Sequence, residues 1–168
     1  MAEALLAATL ADRGIDAVVS SAGRISDGQP ATGTAVETMA ERGLDIAGHQ
    51  SRRMTSSMLD SSDLIVAMTR EHVREAAVLR PDCYARTFTL KELVRRGSDE
   101  GPRAEGELLE DWLARLHKGR RPLDHLGASP LDDVADPVGQ GAAVYEATAR
   151  ELEELTTRMA DLVWPPAR

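Results

Sequence analysis

The sequence predicts an α/β fold with a small parallel sheet, on three observations. Short apolar runs recur at residues 17–20, 63–67 and 86–90; stretches with helical spacing separate them; and Gly or Pro stands where most of those helices must stop. Strands reached only through intervening helices lie parallel, with helices on both faces, which makes a three-layer α/β/α arrangement.

The elements follow in order. Residues 2–13 are strong helix formers, with Leu5, Leu6, Thr9 and Leu10 on one face and Gly14 as the stop. Residues 17–20, Ala-Val-Val-Ser, read as a strand that runs into a Ser- and Gly-rich loop over 21–33. A helix over 34–42 ends at Gly43, and a shorter one over 55–60 has Ser and Thr available as caps. Residues 63–67 form the clearest strand, a continuous apolar run of the kind covered on both faces.

A helix over 71–79 follows and is closed by Pro81. Residues 86–90 read as a third strand with a short helix over 91–96, and residues 97–107 have the polarity of a surface loop. The next helix, 105–117, places Leu108, Leu109, Trp112, Leu113 and Leu116 on one face. The last, 142–163, carries Val144, Tyr145, Thr148, Leu152, Leu155, Met159 and Leu162 at helical spacing before Pro165 and Pro166.

With 168 residues, 42% of them hydrophobic, the chain is read as one domain over 1–168, large enough to fold without disulfides or metal. A formal net charge of −8 argues against a nucleic-acid or membrane-surface binder, so an anionic substrate needs a locally positive pocket. The single cysteine, Cys83, allows no internal disulfide, and no Cys/His set has zinc-site spacing. No cofactor or metal is implied, and a reducing cytoplasm fits best. The apolar runs are short, and the first residues lack the charged start of a signal peptide.

Several landmarks share one order. Met1-Ala2-Glu3-Ala4-Leu5-Leu6 opens the chain; Ser21-Ala22-Gly23 follows the run at 17–20; Gly43-Leu44-Asp45-Ile46 leads to His49 and Ser51-Arg52. The strand at 63–67 continues into Met68 with Glu71-His72 beyond, Phe88-Thr89-Leu90-Lys91-Glu92-Leu93 comes next, and Asp133-Val134-Ala135-Asp136-Pro137-Val138-Gly139 precedes the long last helix. In this order they resemble the low-molecular-weight phosphotyrosine phosphatases over most of the chain, with residues 97–131 as a variable segment.

The resemblance implies a fold whose first strand is central and leads into a phosphate-binding loop, Cys-x5-Arg-Ser/Thr, directly before the helix that Met1-Ala2-Glu3 resembles. The expectation is therefore the body of a phosphatase without that strand, the nucleophilic cysteine or the phosphate-binding arginine, and hence without activity as given. Cys83 does not replace the nucleophile: Thr89 rather than Arg lies six residues on, no Gly-rich turn follows, and a strand comes next. A lone cysteine also argues against a thioredoxin-coupled arsenate reductase, whose redox cycle needs further thiols.

By the same resemblance Asp136 is the general acid that protonates the leaving oxygen, Pro137 stiffens the turn that presents it, and Ser21 and His49 support the phosphate loop. Taken alone, Asp136-Pro137 is an ordinary turn in an acidic loop, His49 a turn histidine and Ser21 a strand-end residue. The implied partner is a phosphorylated protein or a small phosphate monoester. Val138 stands where members specific for phosphotyrosine often carry an aromatic after Asp-Pro. A non-catalytic remnant, or a module binding phosphate or a partner, is the alternative, in which Asp136 has no chemistry. The cluster Arg115, His117, Lys118, Arg120 and Arg121 reads as a solvated basic turn. Natural substrate and oligomeric state stay open.

Overall fold

A computed structural model describes residues 1–24 and 27–166; residues 25–26, within the loop expected over 21–33, and residues 167–168 lie outside the described residues. In chain order the helices and strands are α1 (Ala2–Asp12), α2 (Gly33–Ala40), α3 (Ser56–Asp60), β1 (Ile65–Ala67), α4 (Arg70–Leu79), β2 (Thr87–Thr89), α5 (Leu90–Glu100), α6 (Leu109–His117) and α7 (Ala142–Val163). Turns of 3₁₀ helix occupy Pro81–Arg86 and Pro122–His125. The chain gathers into two compact units, one of residues 1–54 and 135–160, the other of residues 55–134 and 161–168.

In the first unit, α1 buries Leu5 and Leu10 and stops as expected: Gly14 takes φ +66° and Ile15 N–H returns to Leu10 O at 2.9 Å. Thr32 caps α2, its hydroxyl accepting from Ala35 N–H at 3.3 Å and donating to the buried Tyr145 hydroxyl of α7 at 3.0 Å. Arg42, just past α2, closes a two-pronged contact on Glu146 of α7 at 2.8 Å on each arm. These bonds fix α2 against the last helix.

Residues 17–20 are a correction. The segment is irregular rather than a strand, and Val18 is 98% exposed. An apolar run becomes a strand only when a neighbour satisfies its backbone, and among the described residues nothing pairs with this one. Pairing instead starts further on, at isolated bridges between Gly23 and Arg53 and between Pro30 and Gln50.

The second unit holds the sheet among the described residues. β1 and β2 run parallel with Ile65 opposite Thr87, Val66 opposite Phe88 and Ala67 opposite Thr89, and α4 and α5 both contact them. Thr87 and Thr89 are fully buried in β2, so each hydroxyl needs a partner: Thr87 donates to Cys83 O at 2.7 Å, and Thr89 caps α5 by accepting from Glu92 N–H at 3.1 Å. The parallel α/β expectation therefore holds, with two strands rather than three.

Two helix boundaries differ from the sequence reading. α5 continues to Glu100, through Gly97, because Gly97 is a packing residue: a Cβ there would lie 2.9 Å from Leu162 and 3.2 Å from the Trp112 ring. α6 begins at Leu109, and Leu108 is 59% exposed, since Glu107 folds the preceding residues into a turn by accepting from Ala104 N–H at 2.8 Å. The stripe of α7 buries Tyr145, Leu152, Leu155 and Met159 as expected, but leaves Val144 at 38% exposure.

Arg120 departs from the solvated basic turn expected over 115–121: Lys118 and Arg121 are exposed, whereas the Arg120 side chain is buried completely. Its guanidinium lies 3.9 Å from the centre of the Phe88 ring and donates to Glu92 at 2.8 and 3.0 Å and to Thr87 O at 2.7 Å.

Candidate active site

In the first unit, residues distant in sequence meet at the opening turn of α1. Glu3 sits in that turn and accepts a short hydrogen bond from the Ser21 hydroxyl, while His49 Nδ1 lies 3.8 Å from the same carboxylate. Arg52 reaches over from beyond His49 and donates from Nη2 to Ser21 O at 3.1 Å. Backbone lacing holds this arrangement: Gly23 N–H donates to Arg52 O at 2.7 Å, Met54 N–H to Gly23 O at 2.9 Å, and Ser51 N–H to Gln29 O at 2.8 Å.

Both expected supporting residues, Ser21 and His49, are thus brought to one carboxylate beside the amino end of α1. Among the described residues that end carries no side-chain cap, so its first amides have no side-chain acceptor. Glu3 is the residue the sequence reading did not single out. An acidic residue in a first helical turn is a common dipole complement, and nothing in its spacing announces two distant partners.

Asp136 is exposed, and its Oδ1 accepts from Val138 N–H at 3.0 Å, an Asx turn across Pro137. Gln140 N–H closes the turn on Pro137 O at 2.9 Å, with Gly139 at φ +80°. Pro137 is half-buried and Val138 is 63% exposed. Among the described residues Asp136 makes no hydrogen bond to Glu3, Ser21 or His49.

Cys83 is fully buried, donating to Ala76 O at 3.6 Å and accepting from Thr87 at 3.4 Å. A sulfur so enclosed acts as a small apolar side chain.

The other concentration of titratable groups lies in the second unit, around Glu92. Burial alone would push its carboxyl up. Hydrogen bonds from His125 and Arg120, with the Arg120 charge, reverse this and hold it at about 2. A carboxylate only accepts, so His125 Nε2 donates to Glu92 at 3.1 Å, and His125 Nδ1 lies 3.2 Å from the Tyr84 hydroxyl. His117 Nδ1 accepts from Arg120 at 3.1 Å, and burial followed by the charges of Arg120 and Arg96 lowers its pKa. Every polar group here has a partner, which marks a structural knot. Among the described residues no group of three or more His, Cys, Asp or Glu could hold a metal, and no helix is long and apolar enough to cross a membrane.

Comparison with known proteins bears on the family and the fold. The family model described as low molecular weight phosphotyrosine protein phosphatase matches residues 1–102. A probable low molecular weight protein-tyrosine-phosphatase, EpsP of Ralstonia solanacearum, is 34% identical over 119 residues, 71% of this chain and 80% of that protein. The protein-arginine-phosphatase of Bacillus subtilis (strain 168) is 30% identical over 161 residues, 95% of this chain and 85% of its own length. The crystal structure of a low molecular weight protein tyrosine phosphatase from T. tengcongensis superposes with a TM-score of 0.71 at 28% identity, covering 95% of this chain and 87% of that one. With landmarks, fold and relatives in agreement, the chain belongs to the low molecular weight phosphotyrosine protein phosphatase family.

Proposed function

We propose that this chain is the body of a cysteine-dependent phosphatase acting on phosphorylated protein side chains, with Asp136 as general acid and the phosphate-binding loop encoded directly before Met1. The observation that carries the reading is the meeting of Ser21 and His49 on Glu3, beside helix amides left without a side-chain cap. Groups so gathered are suited to bracing a loop that delivers a thiolate to the same helix end. Val18, 98% exposed in an unpaired apolar segment, supports a further strand as its partner.

In the reaction the thiolate attacks phosphorus and the bond to the leaving atom breaks. That atom keeps the electron pair and takes the proton of Asp136, and water then hydrolyses the phosphocysteine. The loop amides and its arginine would hold the equatorial oxygens. A reducing cytoplasm is the compartment in which such a thiolate persists.

A second reading, phosphoarginine rather than phosphotyrosine as the substrate side chain, is favoured by the acid loop. Val138 replaces an aromatic platform there, and Tyr145, the one aromatic in residues 1–54 and 135–160, is 3% exposed. The match to an arginine phosphatase also spans 95% of the chain, against 71% for the tyrosine phosphatase relative.

The test is to express the chain with and without the residues encoded upstream of Met1 and to assay p-nitrophenyl phosphate, phosphotyrosyl peptide and phosphoarginyl peptide. Turnover by the longer protein alone, reduced by Asp136→Asn, is the expected result. An upstream sequence without Cys-x5-Arg-Ser/Thr, or turnover by the 168-residue chain itself, would overturn it. Faster hydrolysis of the phosphotyrosyl peptide would remove the second reading only.

A further inference from the structure

Two adjacent arginines of the first unit stand beside the candidate site without a carboxylate of their own. Arg52 and Arg53 are both exposed. Arg52 donates from Nη2 to Ser21 O at 3.1 Å; among the described residues the rest of its guanidinium, and the whole guanidinium of Arg53, meet no further partner. Other arginines close on acids: Arg42 on Glu146, Arg80 on Asp60 and Arg121 on Asp124. In a chain of formal net charge −8, a neighbouring pair of cations left unneutralised is a local exception.

The backbone fixes this pair against the turn that carries Ser21. Gly23 bridges Arg53 in parallel register, with Gly23 N–H donating to Arg52 O at 2.7 Å and Met54 N–H to Gly23 O at 2.9 Å. Asp27 accepts from Arg53 N–H at 2.5 Å, so the nearby acid is engaged by the main chain and leaves the guanidinium unpaired. A Cβ at Gly23 would meet nothing within 4 Å, which leaves the ground beside the pair open to a ligand. Gly23 lies two residues past Ser21, about 7 Å at full extension, which is also the length of two residues of an extended peptide.

We propose that Arg52 and Arg53 recognise acidic residues flanking the phosphorylated side chain, so that the substrate is an acidic segment of a phosphoprotein. This rests on the reading that the phosphoryl group is held at the start of α1, beside Ser21 and His49. A guanidinium takes a carboxylate through paired N–H donors, and cations at the rim of a site steer an acidic ligand toward it. Contacts to residues that do not react belong to binding, so their effect falls on KM more than on kcat. Arg53, whose side chain has no other partner among the described residues, is the cleaner probe of the two.

The experiment uses the protein carrying its phosphate-binding loop and two phosphopeptides that differ only in having Glu or Lys on both sides of the phosphorylated residue. At low salt kcat/KM should favour the Glu peptide by about 5–20-fold, chiefly through KM, and the ratio should shrink toward about one in about 0.5 M salt. Arg53→Gln should lower that ratio by about threefold, and Arg53→Glu should lower it further, toward preference for the Lys peptide. Damage to folding alone would reduce turnover of both peptides together and leave the ratio as in wild type. A wild-type ratio of about one, a ratio indifferent to salt, or one retained by both Arg53 variants would overturn this inference and leave the phosphatase reading standing. A loop-bearing wild type that fails to turn over p-nitrophenyl phosphate would overturn the phosphatase reading, and this inference with it.

Discussion

Arg120→Met removes the centre of the buried knot in the second unit while keeping an unbranched side chain against Phe88. The arginine is completely buried and donates to both oxygens of Glu92, to Thr87 O and to Tyr84 O at 3.2 Å. Its loss leaves a carboxylate that is 4% exposed with Arg96 at 3.2 Å and His125 as its remaining partners. Breaking one side of a buried ion pair costs about 3–5 kcal/mol, and the surviving partners place this case near the lower end. At about 2–4 °C per kcal/mol for a chain of this size, Tm should fall by about 6–12 °C, read by circular dichroism together with a urea midpoint.

The pH dependence has a defined sign. Because Glu92 is held at about 2 against an ordinary 4.5, its contribution is present above pH 4.5 and is lost as pH falls toward 2. In Arg120→Met that acid-sensitive component should shrink. The double variant Glu92→Leu/Arg120→Met, which leaves no orphaned charge, should recover a large part of the loss. A single variant within about 1 kcal/mol of wild type, or a double variant at the sum of two independent losses, would refute the reasoning.

Three further outcomes follow from geometry. Gly97→Ala should destabilise by about 1–3 kcal/mol in urea unfolding despite the better helix propensity of alanine, because the new Cβ meets Leu162 and Trp112; a gain in stability would contradict the close packing. Thr32→Ala should cost about 1 kcal/mol by removing the cap of α2 and its bond to Tyr145, with Thr32→Ser restoring most of it in the same assay. His117, its pKa lowered chiefly by burial, contributes stability that is present above about 6.5 and lost as pH falls below that value; imidazole titration by NMR should find it below a solvent-exposed histidine.

The sequence made legible those features whose causes are local. Gly14 and Gly43 end helices where positive φ is needed, Thr55 caps α3, and the spacing in α7 marks its buried face. What escaped it depends on groups far away in the chain. Residues 17–20 have strand composition, yet pairing decides a strand. Gly97 looks like a breaker until Trp112 and Leu162 are placed beside it. Arg120 stands in a run of basic residues like a solvated turn, and only the third dimension supplies Glu92 and two carbonyls. At the candidate site Ser21, His49, Asp136 and Pro137 stood out through order and motif, whereas Glu3 acts through a partner 18 residues away.

The forked contacts of arginine on loop carbonyls bear on how the second unit moves. Arg96 spans Leu116 O and Lys118 O, Arg86 spans Ser62 O and Leu59 O, and Arg74 grips His125 O and Gly127 O. Each guanidinium ties two neighbouring carbonyls to α5, to the residue before β2 or to α4, so those carbonyls cannot swing away while the contact is closed. Opening of the second unit should therefore proceed in joint steps, with amide exchange in neighbouring connections sharing one protection level instead of fraying loop by loop. At Arg86, where two different nitrogens reach the two carbonyls, a lysine would hold one and release the other, turning a joint step into two separate ones.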